Sequence, residues 1–295
     1  MPGSIPVVLN ALSGRGHADD ELAKLAELFR AAGAEAEIHL AKTGAEIVDL
    51  VKNLSRENPE RIIAGGGDGT MNTLASVLAG TQTALGILPL GTLNHFARDL
   101  HIPLELPEAV RTAVTGRKTR IDVGEVNGRV FVNNSSIGLY PAMVLHRENQ
   151  RRRLGRSKWH AMFWAALNVL RRHPFLQLRL VLDGKPRELR TPFVFIGNNE
   201  YVMEGFNIGA RERLDAGHLS VYVTLRGRRG LLLLALRALL GLLHRAKDFE
   251  SATAHSLRIE TRHKRVLVAT DGEVTALPTP LDYRIRPRDL LVIVP

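Results

Sequence analysis

The stretch that decides the fold is GGGDGT at residues 65–70, together with PLGTLN at residues 89–94. GGGDGT follows a short apolar run at residues 61–64, which predicts a buried strand, and precedes residues 71–78, which we expect to be helical. Glycines between a strand and a helix let the backbone approach a bulky anion. The helix N-terminus then offers unpaired N–H groups and the positive end of its dipole to phosphate. The pattern therefore predicts a phosphate-binding turn.

PLGTLN repeats this design one strand–helix unit further along the chain. An apolar run at residues 84–88 precedes it, and Thr92 and Asn94 follow its Pro/Gly turn. We interpret the two turns as two walls of one nucleotide site, in which Asp68 can hold a metal ion or orient a hydroxyl. Glycine clusters at strand ends are also common in ordinary turns that bind no ligand. The acid and the threonine inside the first cluster, and the repeat at the second, favour nucleotide binding.

Several common motifs are absent from the sequence. No Gly-Lys-Ser/Thr follows a glycine-rich turn, which excludes a P-loop, and no G-x-G-x-x-G opens the first helix, which excludes the usual dinucleotide fingerprint. No G-x-S-x-G elbow indicates a serine hydrolase, and no H-E-x-x-H indicates a zinc enzyme.

Composition narrows the class of protein further. The 295 residues are 45% hydrophobic and include no cysteine, so disulfides, thiolate nucleophiles and cysteine metal sites are excluded and a reducing cytosol is favoured. The length suits one large domain or two ordinary ones. We expect no secretory signal, because no basic region precedes an apolar stretch at the N-terminus. No segment is long and apolar enough to span a bilayer, and the nearest, residues 231–243, is interrupted by Arg237.

The net charge of +10 predicts an anionic partner. Nucleic acid is disfavoured, because recognisable nucleic-acid-binding motifs are missing and aromatics are few. Basic residues beside apolar helices favour an anionic membrane surface instead. They occur around a leucine-rich helix predicted at residues 230–246, and at residues 147–158 ahead of Trp159, Phe163 and Trp164. Burial of that helix in the core, and a solvated basic loop, are the alternatives that stay open.

The predicted elements change character near residue 120. Before it, strands alternate with helices, which implies a mostly parallel sheet covered on both faces, with ligands beyond the carboxyl ends of its strands. After it, Asn-Gly and Asp-Gly turns at residues 127–128 and 183–184 predict hairpins within an antiparallel sandwich or flattened barrel. Helices at residues 158–172 and 230–246 interrupt this half, and its last predicted strand covers residues 290–294.

GGGDGT followed by PLGTLNHFAR resembles the diacylglycerol kinase catalytic-domain family, the soluble bacterial lipid kinases related to sphingosine kinases. Related glycine-aspartate turns occur in NAD kinases and phosphofructokinases, but further segments extend the likeness over nearly the whole chain. They are VVLNALSG at residues 7–14, with Ala11 in place of the family's proline, TGA at 43–45, FVNNSSIG at 131–138, FIGNN at 195–199 and DGE at 271–273.

The resemblance implies an α/β N-terminal domain with a mostly parallel sheet, at residues 1–120, and a β-sandwich second domain with helical insertions, at residues 121–295. The last strand is expected to pack back on the first domain, and the active site to lie between the two. ATP arriving with Mg²⁺ is the implied nucleotide. The candidate residues that bind it are Asn10, Ser13, Gly14, Thr43, Gly65, Gly66, Gly67, Asp68, Gly69, Thr70, Asn72, Gly91, Thr92 and Asn94.

Acid-Gly-acid at residues 271–273 is by itself ordinary hairpin punctuation. In the family this motif supplies the base that takes the proton of the lipid hydroxyl. We therefore expect Glu273 to be the catalytic base, with Asp271 as the second choice for base or as its orienting partner, and Asp68 as the third catalytic residue.

Two positions depart from the family pattern. In several members an aspartate at the position of Ala216 joins a structural Mg²⁺ site. Here Asp215 lies one residue earlier, and such a shift in an extended segment reverses the direction of the side chain. Asp215 is the candidate metal ligand, and whether this site survives stays open. His95 replaces a common aspartate, and we interpret it as a helix-capping residue.

The sequence therefore predicts an ATP- and Mg²⁺-dependent kinase that phosphorylates diacylglycerol or a related lipid alcohol. We expect it to be cytoplasmic and peripheral at the inner membrane surface, with no nucleic-acid partner and with a homodimer left open. The alternatives are a kinase of a soluble substrate, as in NAD kinases, and a nucleotide-binding regulator without turnover.

Overall fold

The computed structural model describes residues 4–11, 19–138, 141, 175–201, 203–204, 207–208, 211–223 and 250–295. The predictions for Ser13, Gly14, the basic segment 147–158 and the helices at 158–172 and 230–246 lie outside these residues. The elements before residue 117 are β1 (Ile5–Asn10), α1 (Asp19–Ala31), β2 (Ala36–Ala41), α2 (Gly44–Ser55), β3 (Arg61–Gly66), α3 (Asp68–Leu78), β4 (Ala84–Pro89), α4 (His95–Asp99) and α5 (Leu106–Thr115).

The rest of the described chain is built from strands. These are β5 (Arg117–Val126), β6 (Arg129–Phe131), β7 (Asn134–Gly138), β8 (Leu176–Leu182), β9 (Lys185–Thr191), β10 (Phe193–Asn198), β11 (Met203–Glu204), β12 (Asn207–Ile208), β13 (Leu219–Val223), β14 (Glu250–Ala254), β15 (Ser256–Thr261), β16 (Arg265–Thr270), β17 (Glu273–Pro278) and β18 (Leu281–Val294).

The first half is the predicted α/β layer. Strands β2, β1, β3 and β4 pair in that order and run parallel. β4 is buried along its whole length, as a strand covered by helices on both faces should be. Helix α3 begins at Asp68, three residues before the predicted start, because the N–H groups of Thr70 and Met71 already donate to the carbonyl of Gly67.

The second half contains an antiparallel sheet in the order β14-β13-β10-β7-β16-β17. Its inner face contributes residues such as Ile137, Val194 and Val221 to a core shared with Leu257 and Tyr283 of the other large sheet. Two sheets facing each other across one core confirm the predicted β-sandwich layer.

Three hairpins turn through a left-handed residue followed by glycine. The pairs Asn127–Gly128, Asp183–Gly184 and Asp271–Gly272 all have positive φ, with values of 44° to 48° at the first residue and 82° to 87° at the glycine. This is the conformation that an Asn-Gly or Asp-Gly hairpin requires, so the two hairpins predicted from the sequence are confirmed.

Strand β18 is much longer than the five residues predicted. It pairs with β15 and β5, and beyond a register shift between Arg286 and Leu290 it also pairs in parallel with β4 through Val292 and Leu85. A bulge of this kind tolerates Pro287, which lies within the observed strand. One ten-stranded sheet therefore runs through both halves of the chain. The division at residue 120 stays a prediction.

Candidate active site

The two glycine turns lie side by side where β3 and β4 end. We call residues 65–70 the first glycine turn and residues 89–94 the second. The N–H of Leu90 donates to the carbonyl of Gly66 at 3.0 Å. A Cβ placed on Gly91 would lie only 2.4 Å from the Cα of Gly67. A side chain at Gly91 would force the turns apart, so the close approach explains why glycine stands at this position.

Asp68 connects the first glycine turn to the helix that follows the second. Its Oδ1 accepts a hydrogen bond from the N–H of Phe96, in α4, at 3.1 Å. Gly67 precedes α3 without any side-chain cap, and a Cβ built on Gly69 would meet no atom within 4 Å. The N-terminus of the eleven-residue α3 is therefore open to an anion, with a carboxylate beside it.

Three of the predicted binding residues lie around the start of α3. Asn10, at the end of β1, donates from Nδ2 to Oγ1 of Thr70 at 3.2 Å. Thr70 is buried and faces Gly66, where a Cβ would lie 2.5 Å from that hydroxyl oxygen. Oδ1 of buried Asn72 has no hydrogen-bond partner among the described residues. An orphaned buried oxygen beside an open helix N-terminus fits a site that awaits a polar ligand.

The side chains of Thr43 and Asn94 form hydrogen bonds to backbone groups close to them in the sequence. Thr43 caps α2 by accepting the N–H of Glu46 at 3.2 Å. Asn94 holds the second glycine turn together: its Oδ1 accepts the N–H of Gly91, and its Nδ2 donates to the carbonyls of Pro89 and Gly91. Asn94, and not His95, is the N-cap residue of α4, so that interpretation of His95 was wrong. Thr92 and His95 are exposed.

The acidic turn, residues 271–273, joins β16 to β17, and its two acids differ sharply in surroundings. The Asp271 carboxylate accepts three backbone N–H groups, from Val132, Asn133 and Asn134, at 2.8 to 2.9 Å. Burial raises the pKa of Asp271 to about 6, against the opposing effect of these donors. Glu273 is exposed and makes no hydrogen bond or ion pair with the residues that the structure describes. Asp271 thus holds the turn against residues 132–134, whereas the Glu273 carboxylate is exposed to solvent.

Sequence reasoning missed a buried ion pair between Asp99 and Arg211, 112 residues apart, whose side chains are 8% and 0% exposed. The Arg211 guanidinium also lies over the ring of Tyr201, 5.4 Å from its centroid, and burial raises the pKa of that tyrosine to about 12. Asp99 stands five residues beyond the second glycine turn, which is a weak signal. Nothing in the local sequence distinguishes Arg211 from the other arginines.

The candidate metal ligand Asp215 lies apart from any acidic cluster. Its Oδ1 accepts from Nε and Nη2 of Arg213 at 3.2 and 3.1 Å, and its side chain is 39% exposed. The described ranges contain no group of three or more histidine, aspartate or glutamate side chains that could hold a metal ion. A Mg²⁺ ion that arrives on nucleotide phosphates needs only one or two protein carboxylates, and Asp68 offers an oxygen that accepts no N–H from the residues described.

Two glycine turns on a parallel α/β layer, continued by a β-sandwich with an acidic hairpin, define a class of proteins with two layered halves. Residues 4–126 match the Diacylglycerol kinase catalytic domain, and residues 136–294 match the YegS C-terminal NAD kinase beta sandwich-like domain. The chain belongs to the family of proteins that combine these two domains.

Individual relatives agree with this assignment. The chain is 36% identical over 138 residues to a "Probable lipid kinase YegS-like" of Klebsiella pneumoniae (strain 342), an alignment covering 46% of each chain. It is 36% identical over 130 residues to a "Diacylglycerol kinase" of Bacillus subtilis (strain 168), covering 43% of each. The chain thus spans about half the length of these relatives. A putative diacylglycerol kinase structure from Bacillus anthracis str. Sterne shares the fold, with a TM-score of 0.75, 24% identity, and coverage of 99% and 97%.

Proposed function

We propose that the protein is a lipid kinase that transfers the γ-phosphate of ATP, in the presence of Mg²⁺, to the hydroxyl of diacylglycerol or a related lipid alcohol. The observation that carries the proposal is the backbone contact between Gly67 and Gly91, because it joins two glycine turns into one surface at the open end of α3. Such a surface suits the phosphates of a nucleotide. Family membership supports the kinase chemistry and a lipid as its acceptor.

In this proposal the glycine turns, Thr70 and Thr92 hold the phosphates of the substrate nucleotide. Phosphoryl transfer needs little covalent chemistry from the protein, and most of the catalysis is positioning and charge stabilisation. Mg²⁺ would neutralise charge on the phosphates, with Asp68 as the carboxylate beside them. Glu273 accepts the proton of the attacking lipid hydroxyl, because its carboxylate is exposed and forms no hydrogen bond or ion pair within the described part of the chain. Asp271 fixes the acidic turn through its three N–H donors.

Action at an anionic membrane surface on the cytoplasmic side is part of the proposal, and the net charge of +10 supports it. None of the helices that the structure describes has the length and apolarity to cross a lipid bilayer.

Incubation of the protein with γ-labelled ATP, Mg²⁺ and mixed lipid extracts, followed by chromatography, tests the proposal. Label in a phosphorylated lipid alcohol, absent when Asp68 is replaced by alanine, is the expected result. Label only in a soluble product would point to the NAD kinase-like alternative. ATP binding without transfer to any acceptor would point to the regulator without turnover.

A further inference from the structure

One guanidinium group joins the two sides of the candidate site from within. Arg211 is fully buried, and each of its five N–H bonds has an acceptor. Nε and Nη2 donate to Oδ2 of Asp99 at 2.9 and 2.7 Å. Nη1 donates to the carbonyls of Val132 and Asn198 at 2.6 and 3.1 Å, and Nη2 donates also to Oδ1 of Asn133 at 2.9 Å. A planar group bonded on every side has a single position available to it.

The Asp99 side of this group leads to the first glycine turn. Asp99 is the last residue of α4, and near the start of that helix the N–H of Phe96 donates to Asp68. The five-residue helix is therefore attached at one end to the first glycine turn and at the other to Arg211. A shift of Arg211 would therefore disturb its own contact with Asp99 and, through α4, the hydrogen bond between Phe96 and Asp68.

The other side of Arg211 leads to the acidic turn. Val132 and Asn133 bind the guanidinium through a carbonyl and a side-chain oxygen, while their N–H groups bind the Asp271 carboxylate at 2.8 Å each. Glu273, two residues after Asp271, is the first residue of β17. The same two residues therefore transmit the position of Arg211 to the hairpin that carries the proposed base.

We infer that Arg211 and Asp99 are positioning residues of the reaction, which hold the acidic turn in register with the two glycine turns. The inference rests on the proposed function for its kinetic consequences. Neither residue is assigned a contact with nucleotide or lipid. Displacing the base by about 1 Å is expected to cost on the order of 10²-fold in rate, because catalysis by a positioned group depends steeply on geometry.

Steady-state kinetics of Asp99→Asn and Arg211→Lys test the inference. Each is expected to lower kcat by about 10²-fold. The KM for ATP should stay within about two-fold of wild type, because neither residue is assigned a contact with the nucleotide. The double variant should lose little more than the worse single variant, because both substitutions break one link. Arg179→Gln, which removes an exposed ion pair with Glu260, is the matched control and should keep wild-type kinetics.

Removing one partner of a buried ion pair can unfold a protein, so a milder variant accompanies these two. Asn133→Ala removes one of the five hydrogen bonds of the guanidinium and leaves the pair with Asp99 intact. It should lower kcat by a few-fold, again without raising the KM for ATP. A rise in KM for ATP that matches the loss of kcat, in folded variants, would overturn the inference.

Amide hydrogen exchange provides a readout that needs no activity. Exchange at Phe96 and at residues 132–134 should accelerate together in Asp99→Asn and Arg211→Lys, while the amides of β1 stay protected. Unchanged exchange at either segment would show that the pair does not couple them and would overturn the inference. If the wild-type protein phosphorylates no acceptor, the proposed function fails, and the exchange result still decides on the coupling.

Discussion

Gly67 and Gly91 meet backbone to backbone, and a Cβ on Gly91 would lie 2.4 Å from the Cα of Gly67 and 2.7 Å from Oδ1 of Asn94. The nearest atom is main chain, so no flexible side chain can move aside to make room. The contact therefore requires glycine at residue 91. The alignment of the two turns that we assign to phosphate binding depends on this contact.

Replacing Gly91 by alanine should separate the two turns. We expect ATP affinity to fall at least about ten-fold, and the free energy of unfolding to fall by about 1–3 kcal/mol, as overpacking does elsewhere. Calorimetric ATP titration and urea unfolding measure the two effects. Gly69→Ala is the control for folding, since a Cβ there meets no atom within 4 Å, and its stability should equal that of wild type. Wild-type ATP affinity in Gly91→Ala would exclude this contact from the nucleotide site.

Asp68 accepts a hydrogen bond from Phe96 and also carries a negative charge, and two substitutions can separate the effects of the hydrogen bond and the charge. Asp68→Asn retains an acceptor for the N–H of Phe96, whereas Asp68→Ala removes it. Both should lower kcat by at least about 10²-fold if the charge acts in catalysis. Only the alanine variant should also lose about 1 kcal/mol of stability. Wild-type turnover in Asp68→Asn, at saturating ATP and Mg²⁺, would rule out a catalytic role for the charge.

Glu273→Gln tests the proposed base. Glutamine keeps the size and the hydrogen-bonding capacity but cannot accept the proton, and loss of a general base typically costs about 10²–10⁴ in rate. We expect that loss in kcat with little change in ATP affinity or in stability, because Glu273 is exposed and unpaired among the described residues. If Glu273→Gln keeps full turnover, the base must be sought elsewhere in the site.

The pH dependence of stability tests the burial of Asp271. Its pKa is raised from 3.8 to about 6 in the folded state, so between these values the folded protein binds a proton that the unfolded chain releases. Stability from this group is therefore highest in acid and falls, by no more than about 3 kcal/mol, as the pH rises from about 4 to about 6. The stability of wild type relative to Asp271→Asn should fall over that interval in urea unfolding at each pH. A rise instead would show that the three N–H donors outweigh burial and lower the pKa.

Binding to lipid vesicles tests the electrostatic part of membrane association. Binding should increase with the fraction of anionic lipid and decrease with added salt, because exposed charges are screened beyond roughly 10 Å at 0.1 M. Sedimentation with vesicles of neutral and of anionic composition measures both trends. Equal binding to the two compositions would contradict the proposal that the positive charge of the protein draws it to the membrane.

Much of the fold could be predicted because its determinants are local. An apolar run before GGGDGT specifies a buried strand and a helix start, and Asn-Gly or Asp-Gly at residues 127–128 and 183–184 specifies a tight hairpin. The extent of β18 could not be predicted, since Pro287 and the charges around it interrupt the strand pattern. Only pairing with β4, β5 and β15 on both sides of a bulge compensates for that interruption.

The sequence alone determined which residue types stand at the turns: glycines that let two backbones touch, an aspartate at a helix start, and two acids in a hairpin. Only the tertiary structure decided which of these side chains are buried and hydrogen-bonded and which are exposed. Asp271 is held by three N–H groups from a turn 137 to 139 residues earlier, which leaves Glu273 exposed. Asp99 and Arg211 meet across 112 residues. The reason is physical: burial and hydrogen bonding between distant segments fix the environment of a charge, and no local pattern in the sequence encodes that environment.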